Sequence, residues 1–163
     1  MTSKKSPYLS DASRLGDVIA AIQAMAVYKF YKLDFEGWAD RISADSATAQ
    51  RWKRIFEQHP EFFRLDTERN KASLVWRRQY PKRYDVDAEK ILSIVEYKSL
   101  TDAEKERISR IPLTSTDISA LVKAAIDLHS RALEQSRERR WWVPLIAALV
   151  GFLGAVLGTY MKC

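Results

Sequence analysis

The chain has 163 residues, 47% of them hydrophobic and 29% charged, which excludes a wholly disordered chain and fits one ordinary domain with appendages. Its 27 Lys and Arg against 21 Asp and Glu give a net charge of +6, a lean toward anionic partners far weaker than a dedicated nucleic-acid arm would carry. A single cysteine, Cys163, excludes an intramolecular disulfide framework and a multi-cysteine zinc site, and His59 and His129 as the only histidines argue against a histidine-rich metal centre.

Residues 1–9 read as a flexible N-terminus. From Ser10 to Lys32, the residues Leu15, Val18, Ile19, Ile22, Met25 and Ala26 recur at helical spacing and predict a helix with a broad apolar face. Asp34 then reads as the N-cap of a short helix over Phe35 to Ile42, followed by the turn-rich run from Ser43 to Ser46. A further helix is expected from Ala47 to Gln58, with Ala49, Trp52, Ile55 and Phe56 inward and Gln50, Arg51, Lys53 and Arg54 outward. His59-Pro60 stops it, because the residue before a proline is pushed out of the helical region.

Beyond Pro60 the period changes. Residues 62–66 and 72–80 read as two short strands joined by the polar turn from Thr67 to Lys71, a small β-hairpin in a mainly α chain. Helix, short helix, turn, helix and a hairpin with a basic tip together resemble the winged helix-turn-helix domain over residues 10–84. The resemblance implies that Ala47 to Gln58 is a recognition helix and Thr67 to Lys71 a wing. Basic residues concentrate there: Arg69, Lys71, Arg77, Arg78, Lys82 and Arg83 face only Glu68 between Thr67 and Tyr84. These residues, with Gln50, Arg51, Lys53 and Arg54, are the candidates for contact with nucleic acid or an anionic surface. In a DNA-binding winged helix the basic side chains neutralise phosphates and helix side chains read base edges; in a protein-contact module the same face meets a protein partner.

Residues 85–140 read as a helical extension. Asp85 or Asp87 is expected to cap a helix carrying Ile91, Leu92 and Val95, and Thr101 to Glu104 forms a capping box for a short helix to Arg110, which Pro112 ends. From Thr116, the residues Ile118, Leu121, Val122, Ala125, Ile126, His129 and Leu133 form the strongest amphipathic pattern in the chain. That stripe either packs back on its own domain or enters an intermolecular bundle.

Residues 141–161 carry no charge, start with Trp141-Trp142 and end near Tyr160, so the sequence predicts one C-terminal transmembrane helix. Arg137, Arg139 and Arg140 before the span hold the N-terminal part in the cytosol by the positive-inside rule, giving a tail-anchored, single-pass membrane protein, in the inner membrane if prokaryotic. Ala147, Gly151, Gly154 and Gly158 share one face and predict homo-oligomerisation in lipid.

No P-loop, nucleophile elbow, paired-carboxylate framework or metal-ligand spacing occurs in the sequence, so no enzyme activity, cofactor, metal or small-molecule substrate is expected. Arg54 and His59 match the R-x4-H spacing of HEPN-type ribonucleases, but the proline and strand after His59 do not suit that all-helical family. The expected function is a non-catalytic membrane protein that recognises a partner through its winged-helix-like domain and self-associates through its span. In outline it resembles small membrane effectors of prokaryotic antiviral defence. A membrane-tethered DNA-binding transcriptional regulator is the second expectation.

Overall fold

The computed structural model describes residues 6–138, 146 and 148–150. A 3-10 turn, Pro7–Leu9, leads into α1 (Arg14–Val27), whose Val18, Ala21, Ile22, Met25 and Ala26 are buried. α1 ends a turn and more before Lys32, because Tyr28 turns extended and Lys32–Asp34 forms β1. α2 (Phe35–Ser43) starts under Asp34, whose side chain accepts from the Gly37 amide at 2.8 Å. A Cβ on Gly37 would come within 2.9 Å of that same carboxylate oxygen, so the cap needs the glycine. A 3-10 turn, Ser46–Thr48, precedes α3 (Ala49–Gln58), which buries Trp52, Ile55 and Phe56.

β2 (Phe63–Leu65) and β3 (Lys71–Leu74) follow, and β3 lies between β1 and β2 in an antiparallel sheet of order β1-β3-β2. The register sets Leu33 opposite Ala72 and Phe63 opposite Leu74. The predicted hairpin is therefore two strands of a three-stranded sheet. Its last strand stops at Leu74, because the backbone coils into a 3-10 turn over Trp76–Gln79. Phe56 packs on Phe63 with ring centroids 5.0 Å apart, and the Trp38 indole N–H donates to the Ala72 carbonyl at 2.9 Å. These contacts fasten α3 and α2 to the sheet, and the buried indole keeps its hydrogen bond.

The segment after Pro81 departs furthest from expectation. In place of a capped helix, β4 (Tyr84–Asp85) and β5 (Lys90–Ile91) form a hairpin, and β6 (Ile108–Ser109) adds to β4, giving a second antiparallel sheet of order β5-β4-β6. Asp85 does not cap a helix. Its buried carboxylate accepts from the amides of Asp87 and Ala88 and from Arg107 Nε, closing the turn between β4 and β5. Two short helices with reciprocal capping boxes stand between β5 and β6: α4 (Ile94–Ser99) under Ser93 and Glu96, and α5 (Asp102–Lys105) under Thr101 and Glu104.

α6 (Ser115–Glu138) packs its stripe of Leu121, Ala125 and Ala132 back on the domain, against α1 and the Pro7–Leu9 turn, with Ile118, Val122 and Leu128 at the margins. The expectation of a transmembrane helix over 141–161 is corrected as well. No helix among the described residues is long and apolar enough to cross a membrane. α6, the longest described helix, supplies no span in its place: it carries Asp117, Lys123, Asp127, Arg131, Glu134 and Arg137 along its length, and an Asp, Lys or Arg at the centre of a membrane helix costs about 2.5–3.5 kcal/mol. The fold class with a transmembrane helix, the tail-anchored single-pass placement with a cytosolic N-terminus, and the membrane as partner are thereby withdrawn. Of the predicted 141–161 span only Ile146 and residues 148–150 are described; they are helical and exposed. The predicted oligomerisation face of Ala147, Gly151, Gly154 and Gly158 lies outside the described residues.

Candidate functional site

α3 and the turn between β2 and β3 present one exposed face. Trp52, Ile55 and Phe56 point inward, which by helical geometry leaves Gln50, Arg51 and Arg54 outside, while Lys53 is half-buried with its Nζ 5.4 Å from the Phe35 ring centroid. The turn is organised by Asp66, whose Oδ1 accepts from the amides of Asn70 at 2.8 Å and Lys71 at 3.1 Å. Those amide hydrogen bonds, with Lys32 Nζ 3.4 Å away, hold the Asp66 carboxyl below its ordinary range.

The cations of this face are partly spent within the molecule. Arg51 Nη2 lies 2.7 and 2.9 Å from the two carboxylate oxygens of Asp17 on α1. Arg69, at the turn, donates to Glu57 on α3 at 2.8 Å and so ties the turn to the helix. The face mixes signs: Arg51 is neutralised by a mostly covered Asp17, Arg69 stands beside a partly exposed Glu57, and Lys53 and Arg54 have no carboxylate partner among the described ion pairs.

The remaining sequence candidates separate into other places. Lys71 and Lys82 meet Lys32 around a cleft of about 300 Å3 between the two sheets, together with Phe30, Tyr31 and Glu106. Arg83 is half-buried, and its carbonyl accepts from the Leu92 amide. Arg78 is exposed on the 3-10 turn after β3. Arg77 is not a surface cation at all: it is fully buried, with Nη1 donating to the carbonyls of Met25 at 2.9 Å and Tyr28 at 2.6 Å, and Nη2 to that of Arg110. Burial, reinforced by the neighbouring Arg110 charge, brings its pKa down to about 10. Its role is to tie the end of α1 to the strand leading into α6, and its assignment to an anion-binding surface is corrected.

His59 is also interior. Its Nδ1 is 3.0 Å from Glu61 Oε1, and since a carboxylate only accepts, the ring must carry its proton there. Tyr8 Oη donates to the same oxygen at 3.3 Å, and the rings of His59 and His129 sit 4.5 and 5.9 Å from that of Tyr8. Burial and the adjacent Glu61 push the Tyr8 hydroxyl well above its ordinary value. His59 is thus fully buried while Arg54 stands exposed on α3. The two side chains do not share a solvent-facing surface.

Three basic residues of clefts are not among the sequence candidates: Lys32, Arg64 and Arg131. Arg64 stood between Phe63 and Leu65, and strict alternation in a strand marks it as outward-facing. Lys32 had no such signal, because β1 was hidden inside a helical pattern. Among the described residues no group of three or more His, Cys, Asp or Glu is placed to hold a metal ion. Comparison with protein-family models, with curated proteins and with solved structures returns no match to this chain.

Proposed function

We propose that the protein is a non-catalytic recognition module, and that residues 10–84 form a winged-helix-like unit with α3 and the 66–71 turn as its face for a protein partner. The order α1, β1, α2, α3, β2, β3 with β3 central in the sheet supports the architectural part of this reading. The observation that carries the choice of partner is the pairing of Arg51 with Asp17 and of Arg69 with Glu57. A duplex rewards cations that neutralise phosphates, whereas alternating signs on a face complement alternating signs on a protein and penalise wrong partners.

DNA is the second reading, favoured by Lys53 and Arg54, which take part in no ion pair among the described residues and lie on the helix the resemblance would place in a groove. Fluorescence anisotropy of the full chain with labelled duplex DNA at several salt concentrations separates the two. The protein-partner reading expects dissociation constants weaker than about 10 µM even at low salt, unchanged by Arg54→Ala. Micromolar or tighter binding with a steep negative salt dependence that Arg54→Ala flattens would replace it with the DNA reading. A photo-crosslinker at position 50 should then capture nucleic acid rather than protein.

A further inference from the structure

The surface on the far side of β2 from its buried Phe63 carries a cleft of about 410 Å3 lined by Pro60, Arg64, Val75, Arg78 and Gln79. It shares no residue with the α3 face. Two arginines and a glutamine are among the residues that line it, and none of those residues is acidic. Neither Arg64 nor Arg78 takes part in a described ion pair, in contrast to Arg51, Arg69 and Arg107.

Both arginines rise from backbone that is held on each side. Arg64 lies in β2 opposite Ser73, whose hydroxyl donates to the Arg64 carbonyl at 3.3 Å. The Val75 amide donates to the Phe62 carbonyl at 2.8 Å and the Arg78 amide to the Val75 carbonyl at 3.0 Å. Arg110 Nη1 then donates to the Arg78 carbonyl at 2.8 Å. Because Arg77 is committed to the interior, the next residue along the turn is directed outward with its backbone fixed. The fixed backbone sets where the two side chains start, and both are exposed with no described hydrogen bond or ion pair to their guanidinium groups, which leaves their donors available to a ligand.

We propose that this cleft binds a small phosphate monoester, with Arg64 and Arg78 gripping the phosphate oxygens and Pro60 and Val75 covering the organic part. Two planar forks carry ten N–H donors and a charge of +2, which matches a phosphate monoester of about −1.5 to −2 at neutral pH. A lone carboxylate satisfies a single fork and leaves the second guanidinium without a counter-charge. The volume lies within the range of about 300–1,000 Å3 typical of small-molecule sites. The proposal stands independently of the protein-partner reading of α3.

The test is a titration of the 15N-labelled full chain with phenyl phosphate, with inorganic phosphate and benzoate as separate arms, followed by amide chemical shifts. Phenyl phosphate should give saturable shifts confined to the amides of Arg64, Val75, Arg78 and Gln79. Benzoate should bind at least tenfold more weakly, and inorganic phosphate should reach the same amides with lower affinity. Arg64→Ala and Arg78→Ala should each weaken phenyl phosphate at least tenfold with the melting temperature unchanged, and Arg78→Lys, which keeps charge and loses the fork, should fall between. Affinity should also rise from pH 5 to pH 7.5 as the monoester loses its second proton near pH 6. Shifts that fail to saturate, that spread equally to Lys71 and Lys82, that benzoate reproduces, or that survive both alanine variants would overturn the site. Equal affinity for inorganic and phenyl phosphate would overturn the role given to Pro60 and Val75.

Discussion

Ala44 ends α2 in the left-handed region, at φ 53° and ψ 27°, with its amide bonded to the Asp40 carbonyl at 2.9 Å. An L-residue with a Cβ is disfavoured there by roughly 1–2 kcal/mol, and glycine is the usual solution at a helix end. Ala44→Gly should therefore stabilise the fold by about 0.5–1 kcal/mol, the gain being trimmed by the extra freedom glycine has when unfolded. Urea denaturation gives the sign directly, and a loss of stability would mean that the methyl group packs in a way its exposure does not reveal. Arg77 shows the opposite limit of reading single residues. Counting charges placed it with Arg78 in one basic cluster, yet the two adjacent side chains have opposite fates, one fully buried on main-chain carbonyls and one in solvent. Nothing local distinguishes them, because what buries Arg77 is the meeting of the α1 terminus with Arg110, which are 49 and 33 positions away in sequence.

Elements were legible where a period repeats and illegible where it does not. The apolar spacing of α1, of α3 and of α6 is carried over three turns or so, and all three helices stand where that spacing puts them, give or take their ends. β1 is three residues long and β4, β5 and β6 two each, too short for alternation to register, so the third strand of the first sheet and the whole second sheet left no signal. The candidate face shows the same division: α3 announced its outward residues, but the pairing of its Arg51 with Asp17 and of its Glu57 with Arg69 depends on packing that no local pattern contains. For α6 the sequence left two fates open, and docking on α1 decides between them. Leu121 is 5% exposed in that interface whereas Ile126, five positions on, is 43% exposed. Leu121→Ala should cost about 2–4 kcal/mol, and Ile126→Ala well under 1 kcal/mol. The pair of unfolding midpoints tests the docking, since an α6 that left the domain in solution would make the two substitutions equivalent.

Across the whole molecule, turns and helix starts are held by carboxylates. Backbone amides lower the pKa of Asp11 through Ser13, of Asp66 through Lys71, of Glu96 through Ser93 and of Glu104 through Thr101. For Asp85 and Glu61 burial pulls the other way. It is outweighed at Asp85 by the Ala88 and Asp87 amides with Arg107, and at Glu61 by the hydrogen bond from His59 with that of its own backbone. All six carboxyls are thus more acidic folded than unfolded. The unfolded chain binds the more protons between the two sets of values, so the stability they contribute is present above the unfolded range near pH 4 and is lost as pH falls through the folded values. Their positions matter as much as their sign: one sits before α1, one in the β2–β3 turn, one in the β4–β5 turn, two at the starts of α4 and α5, and one under Tyr8 and His59. Acid should therefore weaken both sheets and the α6 contact together instead of freeing one segment. The urea midpoint should stay level from pH 7 to about pH 5 and then drop steeply toward pH 2. Asp85→Asn should lower it at pH 7, and the deficit should shrink as the pH falls through the lowered range of the native carboxyl. A midpoint that did not fall with acid, or an Asp85→Asn deficit that did not shrink at all as the parent chain lost stability, would show that these carboxyls carry no linkage between protonation and folding.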